Sequence, residues 1–108
     1  MDSKTIENGR QIAIISYLLT LGLIIAFVMN MEPKNKYAAM HIRQSLGLNI
    51  LFYAIAFLTG YFTGWMVATP FYVFFIVLWA FGLTNAIQRE YTPIPLVGDY
   101  FQEWFKSI

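Results

Sequence analysis

Ionised side chains leave two long gaps in this sequence, and the gaps limit the fold more than any motif does. Between Arg10 and Glu32 stand 21 uncharged residues, 11–31, and between Arg43 and Arg89 stand 45, 44–88. A helix crossing a bilayer takes about 20 mostly apolar residues, and a charge at its centre costs roughly 2.5–3.5 kcal/mol. The first gap has room for one crossing and the second for two with a tight turn between them. The expected fold class is an all-α integral membrane protein with three transmembrane helices, at about 11–30, 45–62 and 70–88, and a C-terminal amphipathic interfacial helix at about 95–107. Residues 1–108 then form a single membrane domain. Composition agrees: 58% of the residues are apolar and 12% charged, against about 45–50% and 25% in soluble domains. So small a body cannot hide that surplus in its own interior.

Turn signals divide the second gap. Thr59, Gly60, Thr63, Gly64, Thr69 and Pro70 interrupt an aromatic and aliphatic run. Thr69 is a suitable N-cap and Pro70 suits the first position of the helix after it. In the first connection, Pro33 stops one helix and Asn35 can cap the next, which runs without a breaker from Lys36 into the second crossing. A cleaved signal peptide is not expected, because the charges before the first run are balanced and no A-x-A-like site follows it. Three crossings would put the N-terminus and the second turn on one side, with two basic residues, and the first connection and C-terminus on the other, with five. That bias predicts a cytoplasmic first connection and C-terminus.

On the second helix His41, Gln44, Ser45 and Asn49 share a face, making a polar stripe that enters the membrane. With Asn85 they form the expected polar interhelical or partner face. Such groups most often serve as hydrogen-bonding glue between helices; the competing reading is a polar entrance. Gly22 with Ala26, and Gly82 with Ala86, are small-xxx-small pairs at which helices are expected to pack closely. Arg43, Arg89, Tyr100 and Trp104 are expected interfacial anchors. In the tail, Val97, Tyr100, Phe101, Trp104, Phe105 and Ile108 recur at helical spacing, with Asp99, Gln102, Glu103 and Lys106 opposite. The pattern predicts a helix lying on the membrane surface.

No catalytic residue, cofactor or metal site is expected. The chain has no cysteine and a single histidine, His41, without a companion ligand. No nucleophile–base constellation, phosphate loop or zinc motif occurs, and no acidic or basic side chain lies within a crossing. A net charge of +1 is too small for a nucleic-acid binder.

The segment Asn35–Asn49, with its histidine, basic residue and glutamine at 41, 43 and 44, and the stretch Asn85–Tyr91 followed by Pro93-Ile94-Pro95-Leu96-Val97-Gly98 carry a resemblance. The chain resembles small bacterial membrane proteins of unknown function that look like the chloroplast inner-envelope protein-import component. His41, Gln44, Asn85 and Pro95 are the positions that carry over. The plant proteins have four crossings. The resemblance implies an integral membrane protein belonging to a larger assembly, with no assigned reaction. The expected function is therefore a non-enzymatic accessory or structural subunit. The alternative is a transport or protein-translocation component acting as an oligomer. Expected partners are the lipid bilayer and either another membrane protein or a second copy.

Overall fold

A computed structural model of the chain describes residues 3–32, 34–61, 65–90, 93, 94, 97–106 and 108. The described residues form α1 (Ser3–Ser16), α2 (Leu19–Met29), α3 (Lys36–Thr59), α4 (Trp65–Ile87) and α5 (Gly98–Trp104). Two helices are long and apolar enough to cross a membrane, Lys36–Thr59 and Ala68–Ile87. Only 33% and 17% of their most apolar windows are buried, whereas the core helix of a soluble protein would be largely covered.

α3 starts where the sequence suggests. Asn35 caps it, its side chain accepting a hydrogen bond from the Ala38 amide at 2.9 Å. Its 24 residues make a rod of about 36 Å. α4 returns antiparallel to it: Tyr72 lies by Thr59, Phe75 by Phe52, and the Asn85 carbonyl by Tyr37. α4 begins at Trp65 rather than near Pro70, which sits inside the helix. A proline there lacks only the single amide that would meet the Met66 carbonyl. Of the expected turn residues, Thr63 and Gly64 lie outside the described residues.

The expected single rod over 11–30 is corrected by the structure. The run breaks at Tyr17–Leu18, and Leu19 adopts a left-handed φ of 63°. α2 then doubles back along α1. Its Gly22 seats against the Ile15 carbonyl and Leu18. At its far end Asn30 bonds Asn35 (3.0 and 3.2 Å), and Asn35 in turn donates to the Thr5 carbonyl (2.9 Å) near the start of α1. α1 and α2 are thus a helical hairpin laid against the N-terminal half of α3. Its tip reaches Asn49, which accepts from Thr20 Oγ1 at 2.7 Å. With 11 residues, α2 extends about 16 Å, half of a hydrocarbon core about 30 Å thick.

A helix broken in an apolar setting must still satisfy its carbonyls. Here each has a donor. Ser16 Oγ bonds the Ala13 carbonyl, the Tyr17 amide that of Ile14 and the Leu18 amide that of Ile15. Ser45 Oγ donates to the Ser16 carbonyl, Trp79 Nε1 to that of Tyr17 at 2.8 Å, and the Gly22 amide to that of Leu18.

The hairpin also changes where the charges gather. The start of α1, the first connection and the end of α4 all meet at one end, where Arg89 pairs with Glu7 and Arg10 donates to the Ile87 carbonyl. The basic residues therefore do not divide two against five between the ends. Every charged side chain among the described residues belongs to segments gathered at this end, and the turn at Gly60–Tyr61 has none.

A candidate functional site at the charged end

The polar stripe of α3 faces the α1–α2 hairpin and the segment after α4. His41 and Gln44 are fully buried there and Ser45 nearly so. His41 Nε2 lies 2.9 Å from the Glu90 carbonyl, an acceptor only, so this nitrogen carries the hydrogen. His41 Nδ1 is then free to accept from the Tyr17 hydroxyl at 2.6 Å. Gln44 Nε2 donates to the same Tyr17 oxygen at 3.1 Å, and Gln44 Oε1 accepts from the Ile94 amide at 2.5 Å. Both ring nitrogens and both ends of the glutamine amide are engaged. Tyr37 stacks edge-on against His41, ring centroids 4.8 Å apart, and donates toward the Asn85 and Ala86 carbonyls. The network joins four pieces of chain: the hairpin turn, α3, the end of α4 and the segment at Ile94.

A second polar group continues it along α3. Asn49 Nδ2 donates to the Ser45 carbonyl at 2.8 Å, and Asn49 Oδ1 accepts from Thr20. His41, Gln44, Ser45 and Asn49 are thus all brought against the hairpin. Asn85 contributes its backbone carbonyl to the Tyr37 contact.

The small residues sit where large rings pass. Gly82 faces the Tyr17 ring, and a side chain there would collide with it. Ala86 is fully buried in the cluster that holds Tyr17 and Tyr37, and Ala26 in the one that holds Leu23 and Ile42. Gly22 serves the hairpin itself. Gly47 was not among the expected packing residues; it seats the Phe101 ring of α5.

α5 spans Gly98–Trp104, shorter than the helix expected over 95–107; Pro95 and Ser107 lie outside the described residues. Its apolar side is divided. Phe101 is buried and Val97 and Phe105 pack on the core, while Tyr100 and Trp104 point outward together, ring centroids 5.6 Å apart. Gln102 Nε2 donates to the Met40 carbonyl at 2.8 Å. Arg43 reaches across to the Lys106 carbonyl at 3.1 Å and Gln102 Oε1 at 3.4 Å. Arg43 therefore ties α5 to α3, and its Nε is buried without an acceptor among the described residues. Arg89 occupies the left-handed position after α4 (φ 64°) that usually takes glycine. Its amide bonds the Ala86 carbonyl and the next amide, Glu90, bonds Asn85. Its side chain forms a 2.5 Å bond to Glu7, which holds the Glu7 carboxyl below the ordinary carboxylate range.

Tyr17, Tyr37, Thr20 and Trp79 complete the network and were not among the candidates. One signal points to two of them. Ser16, Tyr17 and Thr20 place polar groups at the middle of the first uncharged run, where a spanning helix least tolerates them. No group of three or more metal-ligating side chains occurs among the described residues. Compared with known proteins, the chain matches no family model, no curated protein and no solved structure.

Proposed function

We propose that this chain is a non-enzymatic integral membrane protein that serves as a small structural or accessory subunit of a larger membrane assembly. The observation that carries this reading is the contrast between inside and outside. Inside, the His41 ring, the Gln44 and Asn49 amides and the Tyr17 hydroxyl are taken up in bonds to one another and to the backbone. Outside, apolar side chains stand uncovered along α2, the distal half of α3 and α4, among them Leu21, Val28, Phe57, Leu58, Phe71 and Ile76. Apolar surface on that scale marks contact with lipid or with another protein. The stripe from His41 to Asn49 is closed by internal bonds. That favours a subunit over the channel role that the resemblance to import components implies.

In the arrangement we propose, α3 and α4 cross the bilayer and the α1–α2 hairpin dips into the leaflet at the charged end. α5 lies at the interface, with Tyr100 and Trp104 in the headgroup layer. The positive-inside rule then puts the whole charged end, including both termini, in the cytoplasm of a bacterial inner membrane. Solubilisation in mild detergent followed by native mass spectrometry tests the function: a stoichiometric partner is expected, and a chain that stays alone at every protein level overturns it. Membrane embedding is tested separately, since an embedded chain stays in the membrane pellet after alkaline carbonate and a peripheral one is released.

A further inference from the structure

Beyond the hairpin tip, α3 and α4 flank a groove of about 570 Å³. Its size is in the range of about 300–1,000 Å³ in which proteins hold small molecules. Leu48, Phe75 and Trp79 wall it, while Thr20, Asn49 and Tyr53 give it a polar edge. Asn49 lies 13 residues after Lys36 and 11 before Gly60, which puts this edge near the middle of the bilayer if α3 crosses it. A polar group at that depth is costly unless it is hydrogen-bonded.

The Asn49 carboxamide oxygen only accepts, so Thr20 must donate to it. Thr20 has then used its one hydrogen, so the 2.7 Å contact between Thr20 and Tyr53 is a bond donated by Tyr53. The chain of donors runs from Tyr53 through Thr20 to Asn49 and on to the Ser45 carbonyl, and it ends outward at the Tyr53 oxygen. Tyr53 is 55% exposed. The groove therefore presents a hydrogen-bond acceptor with no charge beside it. A second groove of about 450 Å³, on Leu51, Ile55, Leu58, Thr59, Phe71 and Phe74, has one hydroxyl in its lining, and that hydroxyl is taken up by the Ile55 carbonyl and Tyr72.

We infer that the groove at the hairpin tip binds an uncharged lipid bearing a free hydroxyl, of the diacylglycerol class. Its hydroxyl donates to the Tyr53 oxygen and its acyl chain lies along Leu48, Phe75 and Trp79. A phospholipid headgroup does not suit this edge, which has no cation to pair a phosphate. The inference rests on the membrane-embedded reading above.

The test reconstitutes the full chain into phosphatidylcholine nanodiscs doped with either dioleoylglycerol or its acetylated analogue, which lacks the hydroxyl. Retained lipid is counted by native mass spectrometry. One dioleoylglycerol per chain is expected, with the acetylated lipid held about fivefold more weakly, as loss of one hydrogen bond of about 1 kcal/mol gives. Tyr53→Phe keeps the ring and should abolish the preference. Leu21→Trp, on the exposed rim, should reduce retention of both lipids. Equal retention of the two lipids by the parent chain, or retention of neither, overturns the proposal. A chain that does not enter nanodiscs at all overturns the embedded reading, and this proposal with it, before any lipid is counted.

Discussion

The hydroxyl of Ser45 has one proton, and it goes to the carbonyl of Ser16 at the point where α1 stops. Ser45→Ala removes the donor and leaves a buried carbonyl without a partner, a loss of about 1–2 kcal/mol. Ser45→Thr keeps the hydroxyl and should recover most of it. Equilibrium unfolding in mixed micelles would read the difference; equal stability of the alanine and threonine variants would show that the hairpin turn does not depend on this bond. At the surface the Glu7–Arg89 pair behaves differently. Arg89 holds the Glu7 carboxyl below its ordinary value of 4.5, so the pair favours the folded form fully above that value and stops doing so as pH falls through the lowered one. Parent chain and Glu7→Gln should therefore differ in thermal midpoint near neutrality and converge under acid. A difference unchanged down to strongly acidic pH would remove Glu7 as its source. These residue-scale contacts were legible only in part. The stripe on α3 could be read because its members repeat every three or four positions. Tyr17 stands out with Ser16 and Thr20 as a polar group in mid-run, but nothing in the run names the histidine 24 positions away that it meets.

At the scale of elements, the hairpin departs furthest from expectation, for a physical reason. An uncharged run of 21 residues has the length of one full crossing and also of two half-depth helices joined by a turn. Periodicity does not separate the two, because the polar groups at Ser16, Tyr17 and Thr20 are confined to one short stretch and set no repeat along the run. What decides is whether a neighbour can satisfy the broken backbone, and the donors for that come from residues 45 and 79, far along the chain. By contrast α3 was readable at its start, where Asn35 caps locally; in the tail the spacing pointed to a helix over 95–107, but not to its shorter extent at Gly98–Trp104 or to which of its rings would turn inward against Gly47. The hairpin carries a local cost at Leu19, a branched side chain in the left-handed region and 81% exposed. A non-glycine residue there loses roughly 1–2 kcal/mol. Unfolding midpoints should rank Leu19→Gly above the parent chain and Leu19→Ile below it, because branching at Cβ tightens the clash. The reverse order would mean that residues 17–19 do not turn as described.

For the molecule as a whole, the consequence of a hairpin is sidedness. A single rod over 11–30 would carry Ser3 and Glu32 to opposite faces of the bilayer, whereas a hairpin keeps them together. The structure ties them to one end by three contacts remote in sequence: Asn35 to Thr5, Arg10 to Ile87 and Arg89 to Glu7. The absence of cysteine from the chain makes this measurable. Single cysteines placed at Ser3, Glu32 and Glu103, all exposed at the charged end, should react with a membrane-impermeant maleimide from one side only, the cytoplasmic one, in sealed vesicles of known orientation. A cysteine at Tyr61, 73% exposed at the far turn, should not react from that side. If Ser3 labels opposite Glu32 and Glu103, α1 and α2 form one continuous crossing and the doubled-back arrangement is wrong. If Ser3, Glu32 and Glu103 label together, the subunit role proposed above leaves a one-sided bundle two surfaces for a partner, the apolar flanks of α3 and α4 and the charged cap. On that proposal, truncating α5 and mutating the apolar flanks should affect separable sets of partners.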